Sequence, residues 1–306
     1  MKKVFIDGGA GTTGLRIRER LAAREDITLL TLSEALRKDT EARREKLNEA
    51  DVVFLCLPDD AAREAVGMIE NDTTAVIDTS TAHRVAEGWI YGFAELGFRE
   101  AIASSRRIAN PGCHASGFLA LVAPLVKEGL IAPDTALCAF SLTGYSGGGK
   151  KMIAEYEAEE TDPLLGAPRQ YALGQSHKHL PEMSKIAGLT TAPAFCPIVG
   201  NFYSGMEVTV PLFAKDLKGT AEDIRRVYAA RYEKGLVRVQ NGDEGGFLSA
   251  AAYEGRDDME VSVYGNGERI LLTARFDNLG KGASGAAIQN MNILFGWDEA
   301  KGLVIG

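Results

Sequence analysis

The sequence predicts an α/β protein: a doubly wound, parallel-sheet unit joined to an α+β unit with a mixed or antiparallel sheet. Three observations predict it. In the first half, short and wholly apolar runs alternate with helical or charged stretches, as strands buried on both faces between helices do. Gly9-Ala10-Gly11-Thr12-Thr13-Gly14 follows the first of these runs and opens a helical pattern. In the second half, several runs alternate apolar and polar residues over part of their length, so one side of that sheet faces water.

The elements follow in order. Lys2–Asp7 is the first strand; it reaches an acid and glycines too soon to be a signal peptide. Leu15, Ile17 and Leu21 recur among arginines up to Arg24, a helix. Ile27–Leu32 is the second strand, and the highly charged stretch 37–49 is a solvated helix face. Val52–Leu57 is the third strand, broken by Pro58-Asp59-Asp60 before a helix from Ala61 to about Ile69. Ala75–Asp78 is the fourth, ending in Thr79-Ser80-Thr81. Pro111 and Gly112 cannot extend a helix backwards, so the helix Cys113–Lys127 starts at Cys113; Phe118, Leu121, Val122, Leu125 and Val126 give it one buried face. Strands are expected at Ala136–Leu142, Met206–Phe213, Met259–Tyr264 and Ile270–Phe276, with helices near 149–160 and 221–235. Residues 1–112 with 280–306 should form one domain and 113–279 the other.

Composition bounds the function. The chain has 306 residues, 45% hydrophobic and 25% charged, enough for two ordinary domains. A formal net charge of −8 argues against nucleic acid or an anionic membrane as partner, and no stretch approaches the length of a membrane span. Four cysteines without a CxxC pair point to neither a disulfide framework nor a zinc cage, and to a reducing cytoplasm. Cys56, Cys138 and Cys196 lie in apolar runs and read as packing residues.

Cys113 is different. A thiol on the first turn of a helix meets unpaired N–H groups and the positive end of the dipole, which favour the nucleophilic thiolate; the competing use is a small core cysteine. The glycines Gly9, Gly11 and Gly14, between strand and helix, make a Rossmann-type turn that lets a backbone approach a pyrophosphate. After the second strand, Glu34 could hold the ribose of NAD, but Ser33 with Arg37 and Lys38 suits the 2′-phosphate of NADP better. Gly144-Tyr145-Ser146-Gly147-Gly148-Gly149-Lys150-Lys151 offers N–H groups and cations to a phosphate or carboxylate, or is a mobile surface loop. His177 and His179 flank Lys178 and would share one side of an extended segment. A metal would need a third ligand, and none is evident; an imidazole acid–base beside a cysteine is the better use, a surface pair the alternative. Cysteine, nicotinamide fold and phosphate-binding loop together suit a phosphorylating aldehyde dehydrogenase working through a thioester.

Asn110-Pro111-Gly112-Cys113, the glycine loop, His177-Lys178-His179-Leu180-Pro181-Glu182 and Lys281-Gly282-Ala283-Ser284-Gly285-Ala286-Ala287-Ile288-Gln289-Asn290-Met291-Asn292 resemble the N-acetyl-γ-glutamyl-phosphate reductases of arginine biosynthesis, in the semialdehyde dehydrogenase family. The resemblance spans nearly the whole chain, and the length resembles the shorter form of that family. It implies Cys113 as nucleophile, with His177 and His179 as the acid–base element and His177 favoured. It implies NADP on Gly9, Gly11, Thr12, Thr13 and Gly14, with the Lys281–Asn292 segment, Asn290 included, beside the nicotinamide. It implies a small acyl-phosphate or semialdehyde substrate and a homo-oligomer, dimer or tetramer. Two substrate anions require local cations on an acidic chain; Arg84, Arg107 and Lys150 or Lys151 are the candidates, with Ser146 and Gly147 from the loop. A related aspartate-semialdehyde or carrier-linked aminoadipyl-phosphate reductase, and a non-catalytic NADP sensor, are the competing readings.

Overall fold

The computed structural model describes residues 1–240 and 242–306, which fall into two compact units. One comprises 1–111 and 283–303, the other 112–282 and 304–306. Among the described residues, no helix is long and apolar enough to cross a membrane.

The first unit holds strands β1 (Lys2–Asp7), β2 (Ile27–Leu30), β3 (Val52–Leu55), β4 (Ala75–Asp78), β5 (Ile90–Tyr91) and β6 (Arg107–Ala109). Every pairing is parallel, in the order β2-β1-β3-β4-β6-β5. Strand order reverses at β1, and such a sheet binds its ligand outside the carboxyl ends of the strands at that switch point. Helices α1 (Thr12–Ala22), α2 (Thr40–Glu49), α3 (Asp59–Gly67) and α4 (Arg99–Ser104) connect the strands. β3 and β4 are buried at every residue, as their apolar runs require. β2 and β3 end two residues before the expected positions, and α3 begins earlier, at Asp59, where Pro58 precedes two acids suited to a helix N-terminus. The charged stretch is the helix α2, N-capped by Asp39; its two buried residues are Arg43 and Leu47.

The second unit opens with α5 (Cys113–Lys127). It continues through β7 (Cys138–Gly144), α6 (Gly149–Tyr156), β8 (Arg169–Gln170), α7 (Leu180–Ala187), β9 (Ala194–Gly200), β10 (Met206–Phe213), α8 (Ala221–Arg231), β11 (Val237–Val239), β12 (Met259–Gly265) and β13 (Arg269–Phe276). The sheet is mixed, in the order β11-β12-β13-β10-β7-β9-β8; β7 runs parallel to β9 and β11 to β12. The last helix, α9 (Gly285–Leu294), returns to the first unit and is buried along its whole length.

α5 is not the one-faced helix its spacing suggests. His114 through Val122, with Pro124 and Leu125, are all buried. Gly117 lets the helix press against the sheet, since a Cβ there would lie 2.5 Å from Cγ2 of Val208. Pro124 has no N–H to give the carbonyl four residues back. That carbonyl, of Ala120, accepts the Tyr232 hydroxyl at 2.6 Å, and the Leu121 carbonyl accepts the Tyr228 hydroxyl at 2.6 Å. A core helix with a mid-helix proline is thereby satisfied from α8 and the residue after it.

Candidate active site

Cys113 is the first residue of α5, with Gly112 extended at the N-cap. The sulfur is therefore presented on a helix N-terminal turn, where N–H groups and dipole favour an anion. The Gly112 N–H donates to Oε2 of Glu182 at 3.2 Å, and Ser116 Oγ donates to the Gly112 carbonyl at 3.1 Å. Behind the thiol a turn passes close, since a Cβ on Gly282 would lie 3.0 Å from Cβ of Cys113. The Cys56 thiol, in contrast, is pushed up to about 12 by burial and is chemically quiet.

Three imidazoles gather beside this turn. The His114 ring centroid lies 5.4 Å from that of His177 and 5.5 Å from that of His179, and those two are 4.7 Å apart and perpendicular. His114 is buried, with Nδ1 at 2.7 Å from Ser141 Oγ and Nε2 at 2.6 Å from the Tyr171 hydroxyl. Burial, with the positive neighbours His177 and Lys178, holds its pKa near 3, so it is a neutral, fixed ring. The Tyr171 hydroxyl titrates well above its usual range, through burial and then through the charge on Cys113.

His177 is half-buried, and its Nδ1 accepts the His179 backbone N–H at 3.2 Å. In the neutral ring the proton is then on Nε2. His179 is buried at the N-cap of α7, with Nε2 4.0 Å from Oε1 of Glu182. The loop carrying these histidines is clamped to β9: the Gln175 side chain accepts the Phe195 N–H at 2.8 Å and donates to the Phe195 carbonyl at 2.7 Å. Ala172 and Gln175 both adopt positive φ, 53° and 52°, a strained backbone held by these contacts.

The glycine-rich segment after β7 is held in place as well. The N–H groups of Tyr145 and Ser146 donate to the carbonyls of Phe202 and Tyr203, and the Tyr145 ring stacks on Tyr156 at 4.7 Å. Ser146 is buried and its Oγ accepts from Asn278 at 3.0 Å, whereas Gly147 and Lys150 are exposed. Neither Lys150 nor Lys151 forms an ion pair among the described residues.

In the first unit, Gly9, Gly11 and Gly14 form the turn into α1. A Cβ at Gly14 would lie 2.8 Å from the Gly9 Cα, so the helix packs directly on the turn, while Cβ atoms at Gly9 and Gly11 would meet nothing closer than 3.5 Å. Beside it lies a cavity of about 440 Å³, lined by Gly8, Gly9 and Ala10 and by Arg18, Glu34, Arg37, Lys38 and Arg43. Thr12 and Thr13 open α1, a helix N-terminus whose N–H groups suit an anion. A tight turn open on its ligand side, a helix N-terminus and a cationic wall fit a dinucleotide. Ser33 is exposed outside this lining; its carbonyl holds the turn to Leu36 and Arg37. Asn290 donates to Gly92 O at 2.9 Å and to Asn110 Oδ1 at 3.2 Å, and its own buried Oδ1 has no hydrogen-bond partner among the described residues.

The sequence matches two family models: the NAD binding domain of semialdehyde dehydrogenase over residues 3–105, and the semialdehyde dehydrogenase dimerisation domain over 113–278. The chain belongs to the semialdehyde dehydrogenase family. It is 43% identical to N-acetyl-gamma-glutamyl-phosphate reductase 2 of a Nostoc species, across 98% of this chain and 99% of that protein. It is 45% identical to the N-acetyl-gamma-glutamyl-phosphate reductase of Rhizobium meliloti, across 95% and 98% of the two chains. The fold is shared with aspartate semialdehyde dehydrogenase II of Vibrio cholerae, at a TM-score of 0.74 and 18% identity over 96% of this chain and 98% of that one.

For a semialdehyde dehydrogenase-family chain, one of the expected cations, Arg107, needs revision. Arg107 opens β6, and its Nη1 donates to the carbonyls of Thr74 and Arg106, so it sits at the amino edge of a parallel sheet whose ligand end is the carboxyl edge. It is a structural residue. Arg84 is buried, with Nε donating to the Asn110 carbonyl and Nη2 to the Thr79 carbonyl, both at 3.0 Å. It braces the segment leading to Cys113. Sequence reasoning missed His114, Tyr171 and Glu182 as parts of the thiol pocket. The signals were there: His114 follows the nucleophile directly, and Glu182 closes the histidine motif.

Proposed function

We propose that this chain reduces N-acetyl-L-glutamyl 5-phosphate to N-acetyl-L-glutamate 5-semialdehyde, releasing phosphate, with NADP as its dinucleotide. The observation that carries it is a cysteine on a helix N-terminus whose neighbour His114 packs against His177 and His179, on a chain 43% identical over nearly its full length to a named reductase of that substrate.

The Cys113 thiolate attacks the acyl carbon; the carbon–oxygen bond to phosphate breaks and a thioester forms. The dinucleotide, when bound, supplies the hydride for reduction. His177, with its proton on Nε2, donates to the carbonyl oxygen as it gains charge; as the resulting thiohemiacetal collapses, His177 takes that hydroxyl proton back, the carbon–sulfur bond breaks, and the Cys113 thiolate and the aldehyde are freed. The one proton consumed per turnover leaves on phosphate. His114, neutral and doubly hydrogen-bonded, orients this constellation without competing for the proton. With Arg107 committed to backbone carbonyls at the amino edge of the sheet, Arg84, Lys150 and Lys151 are the candidates to meet the substrate anions.

The match to a dimerisation domain supports a homo-oligomer. Exposed Phe140, Phe213 and Leu271, on β7, β10 and β13, supply apolar surface for a second copy. Residues 1–112 with 280–306 serve the cofactor on this reading and 113–279 the chemistry.

The test is phosphate-dependent NADP reduction with a panel of semialdehydes. The N-acetylated five-carbon substrate should exceed aspartate semialdehyde by roughly 10²-fold in kcat/KM. Comparable rates on both would reject the assignment.

A further inference from the structure

Asp7 is the last residue of β1, directly before the glycine turn, and its carboxylate is 5% exposed in the wall of the dinucleotide cavity. A bare buried carboxylate there would repel every phosphate the cavity should receive. Arg43 of α2 answers it side-on, with Nε at 3.3 and 3.2 Å from the two carboxylate oxygens and Nη2 at 2.9 Å from Oδ2. The guanidinium side chain is only 11% exposed. Its Nη1 has no hydrogen-bond partner among the described residues, and Arg43 itself lines the cavity.

The other cations of that cavity are held differently. The Arg37 side chain is 46% exposed, and its Nε is taken at 2.8 Å by Glu34. Lys38 is exposed on the same turn. Exposed pairs gain little, because water and salt screen them and a long side chain must be ordered. A buried guanidinium already fixed by a carboxylate loses almost no freedom on binding and acts in a drier, less screened setting.

We propose that Arg43, locked by Asp7, is the specificity-determining residue for the adenosine 2′-phosphate, with its unused Nη1 edge as the reader and with Arg37 and Lys38 as minor contributors. This rests on the NADP reading above. It also explains why a helix as polar as α2 buries an arginine at all.

The test is direct binding of NADPH and NADH to the full chain without acyl substrate, followed by nicotinamide fluorescence. The variants are Arg43→Gln, Arg37→Gln, Lys38→Gln and the charge-balanced pair Asp7→Asn with Arg43→Gln. The pair is included because Arg43→Gln alone strands a buried carboxylate. Both Arg43 variants should weaken NADPH relative to NADH by roughly 10- to 100-fold, the range for one charge-assisted contact. Arg37→Gln and Lys38→Gln should each change that ratio by about 5-fold or less. Equal losses for both dinucleotides in a folded Arg43 variant, or a larger change from Arg37→Gln, would overturn the inference while leaving the NADP reading intact. Wild-type protein that binds NADH as well as NADPH would overturn both.

Discussion

Gly117→Ala should destabilise the second unit and slow turnover, even though alanine is the better helix former. The propensity gain is about 1 kcal/mol. Against it, the new Cβ would lie 2.5 Å from Cγ2 and 2.8 Å from Cβ of Val208, and 2.9 Å from Cε1 of Phe276. Val208 and Phe276 are fully buried in β10 and β13, and a β-branched valine in a sheet has little rotamer freedom to yield. Overpacking of this kind costs about 1–3 kcal/mol, so the steric effect outweighs the propensity gain by up to roughly 2 kcal/mol. For a unit of this size that lowers Tm by up to roughly 8 °C. The relief available is movement of α5 away from the sheet, and Cys113 rides on its first turn. A displacement of about 1 Å at a reacting group costs on the order of 10²-fold, so kcat should fall well beyond the unfolded fraction. Urea unfolding and kcat on the same samples measure both. Val208→Ala opens the required space, so the double variant should be more stable than the sum of the singles by about 1–3 kcal/mol. A neutral or stabilising Gly117→Ala, or a double variant with no coupling, would show that the helix–sheet approach does not select this glycine.

Cys113→Ser should lower turnover by roughly 10³-fold or more with NADPH binding unchanged, and intact-mass analysis should lose the thioester adduct; retention of a tenth of the activity would exclude the covalent route. Lys150→Ala and Lys151→Ala should raise KM for the acyl phosphate by about 10-fold without altering NADPH affinity, read by initial rates and fluorescence titration. His114 gives a pH signature. Its native pKa near 3 lies below the unfolded value of about 6.5, so the unfolded chain binds a proton that the native chain refuses. Stability is whole above about pH 6.5 and falls as pH drops toward 3, by up to about 1.4 kcal/mol per unit from this residue. Denaturant unfolding of wild type and His114→Gln between pH 7 and 5 should show a shallower slope in the variant; parallel slopes would refute the buried neutral ring.

What could be read in advance follows from which physics acts locally. The parallel sheet was legible because β3 and β4 are apolar at every position or nearly so, a pattern only burial on both faces produces. Cys113 was legible because Pro111 and Gly112 set where α5 can start. The short pieces β5, β8 and β11, of two, two and three residues, exist through pairing with distant strands and carry too few residues for any period. The all-round burial of α5 was invisible for a related reason: apolar spacing shows one face, and only the sheet, α7 and α8 together decide that the other faces are covered as well.

The candidate site divides along the same line, and its cations show why. Arg107, Arg84, Arg37 and Arg43 are equivalent as sequence, each a guanidinium near a plausible turn. Position along a parallel strand separates them: Arg107 at the amino edge of the sheet spends itself on the Thr74 carbonyl, while Asp7, at the carboxyl edge of β1, recruits Arg43 across 36 residues. Arg84 lies in the loop after β4 and donates to the carbonyls of Thr79 and Asn110, so it also stiffens the segment that ends β6. A cation's role is set by which acceptors reach it first, and buried carbonyls and carboxylates must be satisfied before any ligand arrives. Sequence gives the supply of charge; what is left for a ligand, Lys150, Lys151 and one edge of Arg43 among these cations of the described residues, is set only once the fold has claimed the rest.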